Sequence, residues 1–235
     1  MTGRMNIMIK KGMEFEIGNS VIVKQGVKEP DLEEFEIGAW QGRIIEIDTK
    51  SDKNNTLITI EWDSITLKRI PPDYIEQSER EGYDWKNMVL YASELEKTTP
   101  RDKKENVKKT HAKLSDKHYW DSLGDEGKRI SKILDKVNPH NEMKSLQKWV
   151  EHLDEKLTFP IQAIVSNSED DWLIKSGDKI LIKSLPHIVD MYGIIASIKL
   201  EGKKYDFPLC DIEVVDKSKA DYQLINDYRT WFANR

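Results

Sequence analysis

The sequence predicts an α+β protein, mainly β, in which two small β-barrels follow one another and the second has packed helices before and after it. Three observations carry this. Apolar and polar residues alternate at period two in two separate regions, as strands with one buried face require. Between those regions, and again near the end of the chain, apolar residues fall on three- and four-residue spacing, the mark of helices with one buried face. The two β regions also share a weak internal repeat.

In chain order, Val21 and Val23 alternate with Ile22 and Lys24, and Ile45 and Ile47 with Glu46 and Asp48. Leu57 to Trp62 follows Lys53-Asn54-Asn55, a turn-forming cluster. Pro71 to Gly82 reads as a brief helix, with prolines at its start and glycine just past its end. Lys97 to Thr110 holds one aliphatic residue, Val107, and one proline, so residues 97–115 are expected as a flexible basic linker. Asp116 to Leu134 (with Trp120, Ile130 and Leu134) and Asn141 to Leu157 (with Leu146, Trp149 and Leu153) are expected as amphipathic helices parted near Asn138-Pro139. Strand patterning returns in Ile161–Val165, Lys179–Lys183, Gly193–Leu200 and Lys204–Phe207, with a hairpin turn at Glu201-Gly202-Lys203. A last helix, about Lys219 to Phe232, aligns Tyr222, Ile225, Tyr228, Trp231 and Phe232 for docking on the sheet. The expected organisation is therefore a first domain over 1–96, the linker over 97–115, and a second domain over 116–235.

The repeat pairs Ile17–Lys24 with Ser176–Lys183, Trp40–Ile47 with Met191–Ile198, and Ser93–Glu96 with Cys210–Glu213. Each half opens a strand with a glycine turn and runs through a long loop. A glycine after an aromatic then bends the next strand, and a short strand closes the unit. This is the grammar of an SH3-like barrel, and common architecture explains it as well as duplication does.

Hydrophobic residues make up 38% and charged residues 34% of the 235, with seven Trp, eight Tyr and five Phe, which excludes global disorder. No apolar run approaches the roughly 20 residues of a spanning helix. Met1–Lys10 carries no apolar stretch of secretory type, so a cytoplasmic protein is expected. The single cysteine, Cys210, excludes an intrachain disulfide and fits a reducing compartment. Net charge is −5, so bulk electrostatics recruit neither nucleic acid nor anionic membrane. Residues 97–117 carry eight basic and three acidic groups but lack interleaved aromatics for stacking bases.

Catalytic patterns are missing. The histidines, at 111, 118, 140, 152 and 187, have no spacing that sets two imidazoles on one face. Cys210 lies in an apolar context, Pro208-Leu209-Cys210-Asp211-Ile212, and is read as a core thiol. No phosphate loop, dinucleotide fingerprint or nucleophile elbow occurs. An EF-hand is excluded by lysine at the third position of Asp48-Thr49-Lys50-Ser51-Asp52-Lys53. Glu29–Glu36, with five carboxylates in eight residues, and Glu169-Asp170-Asp171 are read as solvated loops. The expectation is a binding protein and not an enzyme.

Trp149 to Pro160, Gly177-Asp178, Tyr192-Gly193-Ile194-Ile195, Phe207 to Val214 and Asp227 to Arg235 together resemble the CcbP calcium-binding family over about residues 145–235. The resemblance implies calcium as ligand, bound by acidic side chains without catalysis. Calcium takes six to eight oxygens, and the loop Ser184–Met191 holds only Asp190. The candidate metal ligands are accordingly Asp190, Asp206, Asp211, Glu213 and Asp216, joined by Glu151 and Asp154 if the preceding helix packs beside the barrel. The N-terminal part resembles bacterial SH3-like domains through Trp40-Gln41-Gly42-Arg43 and Ile60 to Leu67. Its alternative role is an interaction module in which Tyr74, Tyr83, Trp85 and Tyr91 line a groove for a basic or proline-rich protein segment.

Overall fold

Strands form where the alternation is cleanest. In the computed structural model, which describes residues 15–50, 56–169 and 173–235, the chain divides into two units between His118 and Tyr119. The turn expected at Lys53-Asn54-Asn55 lies outside the described residues.

In the first unit, β1 (Ser20–Val23), β2 (Gln41–Asp48), β3 (Leu57–Trp62), β4 (Asn87–Tyr91) and β5 (Leu95–Lys97) form one antiparallel sheet in the order β4-β3-β2-β1-β5. The period-two pattern of β3 buries Ile58, Ile60 and Trp62 completely, and Trp40 meets Trp62 edge-on at 5.3 Å. Gly42 is required by close approach, because a Cβ there would run into the backbone of Glu61 on β3. Between β3 and β4 stand α1 (Ser64–Leu67), whose N–H groups at Ile65 and Thr66 are capped by the Asp63 carboxylate, and α2 (Pro72–Glu81), which ends at left-handed Gly82.

The basic stretch is not a flexible linker. Thr98 donates to the Ser20 carbonyl at 2.9 Å, Gln41 Nε2 to the Thr99 carbonyl at 2.7 Å, and Arg101 grips Asp63 with two bonds of 2.8 and 2.9 Å. Residues Lys104–Lys117 then form α3, with Val107 buried in the first core and Leu114 packed against it. The physical reason is local. Lysine and glutamate are good helix formers, and one well-placed valine plus a leucine two turns along the same face suffices to seat a helix whose start is tied down by ion pairs.

The second unit carries β6 (Ile161–Val165), β7 (Lys179–Val189), β8 (Gly193–Leu200), β9 (Lys203–Pro208) and β10 (Ile212–Val214), antiparallel in the order β10-β6-β7-β8-β9. α4 (Gly124–Ile133), α5 (Glu142–Lys156) and α6 (Ala220–Asn234) accompany it. The single helix expected over 116–134 is instead interrupted by a 3-10 turn at Asp121–Leu123. Gly124, at φ 60°, ends that turn, and Trp120 swings into the second core. Ser184–Val189, expected as loop, continues β7. Register shifts between Ile182 and Ser184 and between Ser184 and His187 bend the strand and blur its alternation.

Trp149 of α5 lies edge-on to Tyr228 of α6 at 5.7 Å and tilted against Trp231 at 5.9 Å, all three fully buried. The Tyr228 hydroxyl accepts the Ile194 N–H at 2.8 Å, so the last helix is docked by a hydrogen bond as well as by area.

The architecture is thus α+β and sheet-rich, as expected. Closure into barrels is not seen. β5 and β10 are three residues long and, among the described residues, pair only with β1 and β6, and no pairing there joins β4 to β5 or β9 to β10. The internal repeat is offset by one strand. Its closing segments both fall on a 3-10 turn and a short last strand, Ala92–Lys97 and Leu209–Val214. Its first two, however, match β1 and β2 to β7 and β8, whereas sheet position makes β6 and β7 the counterparts of β1 and β2. Among the described residues, no helix is long and apolar enough to cross a membrane.

Candidate functional site

The long β6–β7 connection and the 3-10 turn before β10 are laced together by oxygen acceptors. The Asp211 carbonyl accepts Ser166 N–H at 2.8 Å, and its carboxylate accepts Asn167 Nδ2 at 3.3 Å. Asp178 takes the Lys175 N–H at 2.8 Å, while Ser176 binds the Ser166 carbonyl through its hydroxyl and the Ser168 hydroxyl through its N–H. Arg229 of α6 donates to the Cys210 carbonyl at 3.0 Å and the Ser166 hydroxyl at 3.2 Å, fixing turn and loop to one helix. The loop's exposed Glu169 is described, and Asp170 and Asp171 lie outside the described residues.

Of the seven acids expected to hold calcium, only Asp211 reaches this loop. Asp190 sits exposed in the β7–β8 turn against the Met191 N–H. Asp206 is exposed on β9 across from Ser197. Glu213 on β10 pairs with Lys217 at 2.9 Å, and that hydrogen bond holds its carboxyl below the ordinary range. Asp216 accepts from the Ser218 hydroxyl and N–H, which lower its pKa likewise. Glu151 pairs with Lys148 at 3.4 Å on α5, where Asp154 is also exposed. Among the described residues, no three of His, Cys, Asp or Glu stand together in a way that could hold a metal ion. The seven therefore do not converge on one shell. They occupy separate elements because the sheet alternates them outward, and outward-facing acids on neighbouring elements find lysines or serines first.

Arg229, Asn167, Ser166 and Asp178 were not among the expected site residues. The motif Asp227-Tyr228-Arg229 and the serine-rich stretch after Val165 were the available signals. Cys210 is half-buried, and its thiol is pushed up to about 11 by burial first and the Asp211 charge second, consistent with a packing role.

In the first unit, Tyr74 and Trp85 do not line a groove. Both are buried, Tyr74 edge-on to Phe35 at 5.0 Å and Trp85 donating to Glu79 at 2.7 Å; only Tyr83 and Tyr91 are exposed. Large aromatics flanking a short helix were claimed by the core that the helix covers. Tyr91 borders a cleft of about 600 Å³, walled also by Glu29, Glu33, Leu57, Val89 and Glu94.

Glu29 organises that wall. It is buried, and its carboxylate accepts the N–H groups of Asp31 (2.7 Å) and Leu32. Burial pushes its pKa up, the two backbone donors oppose this, and the charges of Asp31 and Glu34 reinforce it, for a net rise. A carboxyl whose pKa is higher folded than unfolded binds its proton more tightly in the native state. Its contribution is therefore present at low pH and lost as pH rises past the unfolded value of about 4.3 and then the folded one. Glu29→Gln is expected to raise the melting temperature at pH 7 by a few degrees and to leave it unchanged near pH 4. A variant that melts lower at pH 7 in thermal scans overturns this.

The second unit is thus an open antiparallel sheet with helices docked by aromatic residues and an oxygen-laced loop beside it. That unit is CcbP-like: residues 129–232 match the CcbP family model, described as calcium binding. Among solved structures, the crystal structure of Anabaena CcbP is similar at 19% identity, covering 46% of this chain and 89% of that one, with a TM-score of 0.38. A calcium binding protein in the calcium-binding form is similar at 17% identity, covering 48% of this chain and 94% of that one, also at 0.38. No curated protein matches the chain.

Proposed function

We propose that this protein binds calcium through its second unit, without catalysis. The observation that carries the reading is the family match over residues 129–232. The donor set is of the right chemistry: calcium prefers carboxylate, carbonyl and hydroxyl oxygens, and the β6–β7 loop gathers Asp211, Asp178, Ser166, Ser168 and the side-chain oxygen of Asn167 around one turn. Asp211 is the acid of first choice, because it alone of the expected acids reaches this loop. Both sheets are read as SH3-like units from their shared strand order and the 3-10 turn before each closing strand. A cytoplasmic location fits the lone half-buried cysteine.

Isothermal titration of the full chain with calcium, with magnesium as control, tests this. Saturable calcium binding is expected, weakened about ten-fold or more, roughly 1.4 kcal/mol, by Asp211→Asn. Calcium at 100 times its dissociation constant should raise stability by about 2.7 kcal/mol. No heat at millimolar calcium overturns the reading.

A second reading concerns the first unit. The cleft beside Glu29 presents Glu33 and Glu94 next to exposed Val89 and Tyr91, which suits a basic segment with an apolar side chain.

A further inference from the structure

The helical side of the second unit holds a concavity that calcium binding does not use. Three helices form it, each presenting one stripe: Arg129, Lys132 and Ile133 on α4; Lys148, His152 and Lys156 on α5; and Ala220, Gln223, Leu224 and Asp227 on α6. The α5 residues are spaced by four, so they lie along a single face about 12 Å long, two turns of helix. The volume is about 630 Å³, inside the range of small-ligand sites between helices. Half-buried Ile133 and Leu224 make an apolar floor, and the polar groups stand around it.

The rim is cationic, and part of it is rigid. Asp227 is buried and receives Arg129 through two bonds of 2.8 and 2.9 Å, with Gln223 as a third donor at 2.8 Å. The one carboxylate in the wall is therefore neutralised in place, and Arg129 is locked as a fixed wall rather than a waving side chain. Lys148 and Lys156 reach only exposed partners on their own helix, Glu151 at 3.4 Å and Glu155 at 2.8 Å, and such pairs are weak and readily exchanged. Half-buried His152 is kept below its ordinary pKa by burial first and by Lys156 second, so it sits there as a neutral imidazole backing the floor. A hollow with an apolar floor, several lysines on its rim and its only acid already paired is complementary to a molecule with an apolar body and an anionic head.

We propose that this three-helix hollow is a binding site for a small amphipathic anion, a carboxylate or phosphomonoester carrying an aliphatic or aromatic body. The body lies on Ile133 and Leu224, and the head exchanges Glu151 and Glu155 for itself at Lys148 and Lys156, with Lys132 facing it from α4. Arg129 and Asp227 shape the wall and do not bind.

Calorimetric titration of the full chain with decanoate, with decyltrimethylammonium as the charge-reversed control, tests this. Saturable 1:1 binding of decanoate alone is expected, with affinity reduced at least about ten-fold in the Lys148→Glu/Lys156→Glu double variant. A Lys179→Glu variant, on the remote β7, should bind as the parent does. Circular dichroism and the melting transition of the double variant establish that it is folded, since both positions are exposed. Absence of saturable decanoate binding, equal binding of the cation, or undiminished binding by the folded double variant each overturns the proposal. So does an acidic helical peptide that binds the hollow where decanoate does not. None of these outcomes bears on calcium, whose proposed ligands lie on the β6–β7 loop and the 3-10 turn before β10.

Discussion

Gly193→Val should unfold the second unit at a markedly lower temperature. Gly193 opens β8 at φ 69°, a conformation a β-branched residue adopts only under strain. A Cβ there would also run into the Tyr228 hydroxyl and the edge of the Phe232 ring, and Tyr228 is itself fully buried. Strain and overpacking of about 1–3 kcal/mol each predict a total loss of about 3–5 kcal/mol. Relief would require α6 to lift, which breaks the Ile194-to-Tyr228 hydrogen bond and opens the Trp149–Tyr228–Trp231 stack. Scanning calorimetry should show the transition of the second unit displaced by about 10 °C or more while that of the first stays in place. A displacement under 2 °C would mean that α6 is not seated on Gly193. Gly193→Ala should move in the same direction by less.

That glycine was legible as a bend point because an aromatic and a glycine stand before an apolar run. The same pattern at Trp40 and Gly42 marks a different necessity, an approach of backbone to backbone. The strands were legible wherever alternation was strict, as in β3 and β6. They were not where bulges reset the period, as in β7 after Ile182, since each shift turns the buried set to the other face. The offset of the repeat has the same origin. Glycine turns open β1 and β7, which occupy different places in their sheets, so matching the turns slides one unit by a strand.

The site was less legible than the fold. Composition and spacing identify carboxylates, but convergence depends on which elements meet, and the seven expected acids fall on six of them. Asp211 alone is drawn into the β6–β7 loop, by contacts of Asn167 and Ser166 that no spacing rule encodes. The three-helix hollow had a partial signal in Lys148, His152 and Lys156 at four-residue intervals. A charged stripe beside an apolar one looks like any solvated helix face until neighbouring helices wall it in.

Asp102→Ala should cost the first unit about 3 kcal/mol, a large effect for a residue in a stretch that composition reads as linker. The Asp102 side chain is 3% exposed and accepts Arg43 at 2.7 Å and the Ser64 N–H at 2.6 Å. Arg43 is itself nearly buried, and its Nη1 has no hydrogen-bond partner, so removing the carboxylate leaves a guanidinium in the protein with most of its charge uncompensated. Burial by itself would raise the Asp102 pKa, but the hydrogen bonds from Ser64 and the Arg43 charge outweigh it and hold the carboxyl below its ordinary range. A depressed folded pKa means the stabilisation is complete above the unfolded value of about 3.9 and lost as pH falls through the folded one. The parent and Asp102→Ala should therefore differ most in melting temperature at neutral pH and converge in strong acid. Because Arg101 remains tied to Asp63 next door, the break should be local: α3 loosens at its start, beside the lost carboxylate, and trypsin gains access to Lys103, Lys104, Lys108 and Lys109. Tryptic cleavage at those lysines in the variant, and not in the parent, establishes the ion pair as the clasp that makes the basic stretch part of the first unit. An unchanged digest together with an unchanged melting temperature would show that β1 and β5 hold it without help.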